Sequence, residues 1–151
     1  MIKLFIPIKP MGAVRTTQKQ KFVDKRAQRY LTYKQQIALL VSKQIEKPSD
    51  RPILADITFY MPMPNSWSGK KKERLNGQIH TSKPDIDNLI KGVFDAINGI
   101  CWKDDRQVYE VHSKKFYSFN PGIGIEIWEL EEEKATNHKV REFLAESHCS
   151  G

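Results

Sequence analysis

The sequence predicts an α+β fold: a single domain in which helices pack on a mixed sheet of about four strands. Three observations predict it. Apolar residues recur at helical spacing over 24–46 and again over 87–98. Runs rich in β-branched and aromatic residues, bounded by proline, glycine or asparagine, stand at 2–8, 53–61, 107–118 and 123–130. The chain has 151 residues, 39% of them hydrophobic, which suffices for one sizeable core and suits one domain.

Taken in order, Ile2 to Ile8 is the first strand. Pro7 and Pro10 put its end at a sheet edge or in a loop, because proline donates nothing to a ladder. The loop from Pro10 to Phe22 carries Arg15, Thr16, Thr17, Gln18, Lys19 and Lys21, side chains that donate to phosphate oxygens; the plain alternative is a polar surface loop. Residues 24–46 form a long helix with Asp24 at its N-cap. Tyr30, Tyr33, Ile37, Leu40, Val41 and Ile45 make its apolar stripe, with Lys25, Arg26, Arg29 and Lys34 largely off it. Ile53 to Met61 is the second strand, its core face Ile53, Ala55, Ile57, Phe59 and Met61. Residues 65–82 form a linker in which Ser68 is placed to cap a short helix through Leu75. Lys70, Lys71, Lys72 and Arg74 there suit a clamp on a DNA backbone. Trp67 beside them is a wedge or stacking group, or else a core anchor under the loop. His80 is a lone histidine in a polar loop and is treated as incidental.

Pro84 drives Lys83 out of the helical region, so the next segment enters extended. Asp87 is the expected N-cap of a helix whose buried face is Leu89, Ile90, Val93, Phe94 and Ile97, and Gly99 is its stop. On the opposite face Asp87, Lys91 and Asp95 recur every four residues and are surface neighbours. Asp85 points toward the same place from outside the helix. Ile100-Cys101-Trp102 is short and apolar, and Lys103 to Arg106 is a turn holding Asp104 and Asp105. Gln107 to Ser118 is the third strand, with Val108, Val111 and Phe116 facing inward. Asn120-Pro121-Gly122 is a turn signal, and Ile123 to Leu130 is the fourth strand, with Ile123, Ile125, Ile127 and Glu129 on one face. These two strands are expected to form a hairpin. Glu131 to Glu133 is a solvated run, and Thr136 to Glu146 a terminal helix packing Val140, Phe143 and Leu144. The domain then spans 1–146, with a frayed tail over 147–151.

Charge narrows the partners. The chain carries a formal +7, and residues 1–50 hold 11 Lys and Arg against 3 Asp and Glu. Such a surface attracts polyanions without reading their sequence, unless it is merely a solvated helix face. No apolar run approaches membrane-spanning length, and the first residues lack the pattern of a secretory leader, so no membrane partner and a cytoplasmic, nucleoid-associated protein are expected. Cys101 and Cys149 lack metal-ligand spacing and are expected to be free thiols in a reducing compartment.

The chemistry lies in the acids. Asp85 and Asp87 stand one residue apart, and two close carboxylates repel unless a proton, a basic side chain or a metal compensates. Mg²⁺ is usually held by one or two carboxylates and keeps water and phosphate oxygens in its other positions. The alternative is that both acids only cap and turn the chain. A calcium loop fails, because Leu89 and Ile90 stand where a ligand and the required glycine belong.

The run Lys83-Pro84-Asp85-Ile86-Asp87-Asn88-Leu89-Ile90-Lys91, then Phe94-Asp95-Ala96, then Trp102-Lys103-Asp104-Asp105-Arg106-Gln107-Val108, closely resembles the RusA family of Holliday junction resolvases. The resemblance rests on a D-x-D-N-L-x-K helix start, an F-D-A segment and a W-x-D-D-x-Q-V element in that order. It is strong over about residues 83–108 and compatible elsewhere. It implies a RusA-like fold, a homodimer, and branched DNA, the four-way junction, as substrate. It also implies that Asp85, Asp87 and Asp105 bind Mg²⁺, or Mn²⁺, and that Lys91 is the catalytic lysine; it leaves Asp104 unassigned. On that reading Lys91 offsets charge on the phosphorane-like state, whereas its plain alternative is a helix-surface partner of Asp87 or Asp95. Two rivals remain: a branched-DNA-binding protein without chemistry, and a metal-dependent transferase gripping a nucleotide diphosphate through Asp-x-Asp.

Overall fold

The strand β2 (Ile53–Met61) is the one the sheet is built on. Its core-face residues Ile53, Ala55, Ile57 and Phe59 are fully buried, and it pairs along both edges. The structure, a computed structural model, describes residues 1–15, 17, 24–131 and 145–146. Among them β1 (Ile2–Ile6), β3 (Val108–Tyr117) and β4 (Gly122–Glu129) complete a four-stranded sheet of order β1-β4-β2-β3. β4 runs antiparallel to both β1 and β2, while β3 runs parallel to β2. The α+β class and the mixed four-stranded sheet are as expected.

The expected hairpin between the third and fourth strands does not form, because β2 lies between them. The reason is burial. β4 places Ile123, Ile125 and Ile127 in the core and belongs inside the sheet. β3 exposes Tyr109 and Val111 and belongs at the edge, so Val111 does not face inward as predicted. A parallel β2–β3 pair needs a long crossover, and residues 62–107 supply it. The turn at 118–121 then passes the end of β2, where the Ser118 N–H donates to the Met61 carbonyl at 2.9 Å.

α1 (Lys25–Ser42) and α3 (Ile86–Ile97) pack together against one sheet face. Tyr30, Tyr33, Ile37 and Val41 from α1 meet Leu89, Val93, Ala96 and Ile97 from α3 over the isoleucines of β2 and β4. Asp24 caps α1, its carboxylate accepting the Arg26 N–H at 2.8 Å. The helix stops at Ser42, earlier than predicted, and residues 43–46 leave it before Pro48. α2 (Gly69–Leu75) is the short helix expected in the linker, with Ser68 accepting the Lys71 N–H at 3.2 Å. Across the sheet, Leu54, Leu130 and Trp128 form a small second cluster, and the exposed Glu129 does not share the core face. The helix expected over 136–146 lies outside the described residues save for 145–146, as does the tail 147–151.

Candidate active site

α3 begins two residues earlier than the sequence suggested. Asp85, not Asp87, occupies the N-cap, with extended backbone and no side-chain capping bond. The approach to the helix is held by tertiary contacts: Lys115 of β3 donates from Nζ to the carbonyls of Ser82 and Pro84 at 2.6 and 2.7 Å. The Lys83–Pro84 peptide between them is cis. Asp87 therefore sits in the first helical turn, where a negative charge is favoured. Among the described residues the side chains of Asp85 and Asp87 make no hydrogen bond or ion pair. Two carboxylates are thus left uncommitted at one helix end.

One turn on, Lys91 does not pair with Asp87. Its ammonium lies 3.4 Å from Asp95, whose same oxygen accepts the buried Tyr30 hydroxyl at 2.9 Å. Burial, then that bond, pushes the Tyr30 phenol well above its ordinary value. Asp95 is thereby fixed from α1 and holds Lys91 in turn.

Asp105 comes to the same place from the other acidic segment. Its carboxylate accepts the indole N–H of the fully buried Trp102 at 2.8 Å, and the Trp102 ring packs edge-on against Phe94 of α3. Burial raises the Asp105 pKa above its ordinary value, and the Trp102 N–H opposes that. Asp95 and Asp104 raise it further, while Lys91 lowers it. Asp105 thus feels the charges of Lys91 and Asp95 while its hydrogen bond is to Trp102. Asp104 instead caps the 3-10 turn Asp105–Gln107, accepting the Arg106 N–H at 3.0 Å. Gln107 completes that capping box and donates to the carbonyls of Ser49 and Arg51 at 2.9 and 3.0 Å, pinning the turn to the start of β2.

The structure pairs Lys91 with Asp95, holds Asp105 on the Trp102 indole that packs against α3, and sets Asp85 and Asp87 at the N-terminal end of that helix. Among the described residues no three Asp, Glu, His or Cys side chains stand close enough to hold a metal ion together. The chemistry of the donors still fits Mg²⁺, which is usually held by one or two carboxylates and takes its remaining oxygens from water and phosphate.

The predicted DNA-binding residues divide. Lys70 and Arg74 are exposed, and Lys71 and Lys72 half-buried, on α2. Lys71 stands 4.3 Å over the Trp67 ring. Trp67 is half-buried against Tyr117 and is not a core anchor. Arg15 is exposed, and Lys19 and Lys21 lie outside the described residues. His80 is not incidental. Segment 77–80 pairs with the end of β3, which buries the imidazole against Tyr117 on the wall of a groove that also reaches Asp85.

A family model, Endodeoxyribonuclease RusA, matches residues 7–128. The chain belongs to the RusA endodeoxyribonuclease family. Among curated proteins it is similar to one named uncharacterized protein YqaN from Bacillus subtilis (strain 168), 36% identical over 127 residues, which is 81% of this chain and 87% of that protein. It is also similar to the crossover junction endodeoxyribonuclease rusA of Lactococcus phage r1t, 30% identical over 121 residues, 79% and 86% of the two chains. The RusA-family span takes in both acidic segments, the helices α1, α2 and α3 and the groove at Asp85.

Several positioning residues inside that span escaped sequence reasoning. Asn88 exchanges two hydrogen bonds with Ala13: its side chain donates to the Ala13 carbonyl at 3.1 Å, and the Ala13 N–H donates to its carbonyl at 3.1 Å. These bonds lay the loop before Arg15 across α3. The crossing is tight, because a Cβ on Gly12 would meet Asn88 Nδ2 at 2.6 Å and one on Gly92 would meet the Met11 carbonyl at 3.1 Å. Lys115 and Tyr30 were equally invisible, since each acts on a residue more than 30 positions away.

Proposed function

We propose that the protein is a Mg²⁺-dependent, structure-selective endodeoxyribonuclease that resolves four-way DNA junctions by paired cuts, in DNA recombination and repair. The observation that supports this reading is the pair of uncommitted carboxylates, Asp85 and Asp87, at the start of the helix that carries the Lys91–Asp95 ion pair, within a chain of the RusA family. On it, Asp85, Asp87 and Asp105 hold the metal, with Mn²⁺ an acceptable substitute. When bound, the ion polarises the scissile phosphate and makes hydroxide available near neutral pH.

Lys91 supplies positive charge where the phosphate oxygens gain negative charge. The water oxygen bonds to phosphorus as the bond to the leaving sugar oxygen breaks, and solvent returns a proton to that oxygen. Asp95 holds the Lys91 ammonium in an ion pair along the helix surface, a position that suits electrostatic stabilisation. Trp102 orients Asp105. Arg15, Lys19, Lys21 and the α2 cations Lys70, Lys71, Lys72 and Arg74 hold the DNA backbone. The catalytic unit is residues 1–146, acting as a homodimer in the cytoplasm, because two cuts related by symmetry call for two related sites.

The test is cleavage of a synthetic four-way junction in Mg²⁺, Mn²⁺ and EDTA by the wild type and Asp85→Asn. The wild type is expected to nick symmetrically in either metal and not in EDTA. Asp85→Asn is expected to lose cleavage while binding the junction as tightly or more so, since a negative charge facing phosphate is gone. Wild-type cleavage by that variant removes Asp85 from the mechanism. One observation favours a second reading, a branched-DNA-binding protein without chemistry: the three metal-binding acids do not form a cluster among the described residues. Junction binding without nicking in either metal would establish it.

A further inference from the structure

The groove at Asp85 is a second feature of the molecule, distinct from the acid line along α3. It encloses ≈ 870 Å³. Lys9, Arg26, Arg29 and Lys83 line it, and Asp85 is its acid. These cations come from the chain after β1, from the polar face of α1 and from the approach to α3, three segments that only the fold brings together. A concave surface of one sign concentrates the field and attracts an extended polyanion. Its volume falls within the range of sites that enclose single small molecules, about 300–1,000 Å³. That is room for a nucleotide or two of one strand, not for a duplex.

The far wall is aromatic. Trp67, Tyr117 and His80 all line the groove. Trp67 meets Tyr117 at 57°, a tilted contact, and Lys71 covers one face of its indole at 4.3 Å, so no ring is stacked on it among the described residues. His80 is 6% exposed, and its Nδ1 has no hydrogen-bond partner among the described residues. Burial, and then the nearby Lys115, lower its pKa. Four cations facing an aromatic wall of Trp67, Tyr117 and His80 suit a ligand that carries both phosphate and a stacking face, and a nucleotide carries both. Cations that track a backbone beside an aromatic platform are how proteins hold single strands.

We propose that this groove holds the strand being cut as a single strand, its phosphates against Lys9, Arg26, Arg29 and Lys83 and one unstacked base on Trp67 with His80 at its edge. The proposal rests on the nuclease reading above for its occupant and for placing the scissile phosphate at the Asp85 end. It also accounts for selection of branched DNA: a base at the exchange point is easier to unstack than one inside a duplex.

Four-way junctions carrying 5-iodouracil at each position flanking the branch point are bound to the full chain in EDTA, irradiated, and the crosslinked peptide mapped. A crosslink to Trp67 from one or two positions is expected, retained in Trp67→Phe and lost in Trp67→Leu. Trp67→Leu is expected to weaken binding of a single-stranded oligonucleotide about tenfold, measured at a temperature where a thermal melt shows the variant folded. Arg26→Gln with Arg29→Gln is expected to lower the slope of log K against log salt by about two. Crosslinks mapping only elsewhere, or wild-type single-strand affinity in Trp67→Leu, overturn the proposal. The same junctions in Mg²⁺ or Mn²⁺ keep the two readings apart. A Trp67 crosslink without cleavage removes the nuclease and keeps the groove. Cleavage with no Trp67 crosslink removes the groove and keeps the nuclease.

Discussion

Lys91 is the residue on which the chemistry turns. It is a surface side chain in an i,i+4 pair with Asp95, and such a pair adds about 0.3–0.5 kcal/mol to stability. Lys91→Ala should therefore leave the melting temperature nearly unchanged and lower junction cleavage roughly 10²–10³-fold, the scale of losing one charge-stabilising donor. Single-turnover cleavage alongside a thermal melt checks both halves. Trp102→Phe keeps an aromatic ring against Phe94 but leaves Asp105 without its indole donor. A loss of about 1–3 kcal/mol is expected from the buried bond, together with a weaker Mg²⁺ dependence of cleavage, read by metal titration. The Cys101 thiol is buried, and that burial pushes its pKa up to about 12. A raised thiol pKa means less thiolate at any given pH, so at pH 8 Cys101 should resist iodoacetamide in the folded protein and react once urea unfolds it. Peptide mass spectrometry reports which state was labelled.

Among the elements, α3 and the turn after it were the most legible in the sequence, and the reason is locality. Residues 83–108 carry their own stop, cap and apolar stripe, and the contact between Trp102 and Asp105 spans three positions. The position of the cap was misjudged because Lys115, arriving from β3, holds the approach to the helix. The strands were legible as strands but not in their pairing. Turn residues at 120–122 announce a reversal, and only the relative burial of β3 and β4 decides that β2 comes between them. Arg26 and Arg29 were recognised as polar-face residues, yet nothing local connects them with Asp85 some 60 positions later. Two predictions belong at this level. Gly12→Ala drives a methyl into Asn88 and Pro84, and should cost about 1–3 kcal/mol and release the loop from α3. Chemical denaturation measures the first effect, and hydrogen exchange at the Ala13 amide the second. Gln107→Leu leaves the Ser49 and Arg51 carbonyls without their side-chain donor and uncaps the acidic turn. It should lose about 1–3 kcal/mol and cleave poorly even at temperatures where it is folded.

At the scale of the whole molecule, the sheet order β1-β4-β2-β3 has a consequence for how the protein is made. Among the described residues the strand Ile2–Ile6 has a single neighbour, and that neighbour is the last strand of the sheet, Gly122–Glu129. On a ribosome adding about 5–20 residues per second, some 120 residues must follow before the partner exists, a wait of roughly 6–24 s. Throughout that interval an apolar peptide end hangs in a crowded cell with nothing to zip to, and Ile2, Leu4 and Ile6 are the side chains at risk. Assembly therefore closes last at the beginning of the chain, and chaperone capture of nascent polypeptides should fall off once synthesis has passed Glu129.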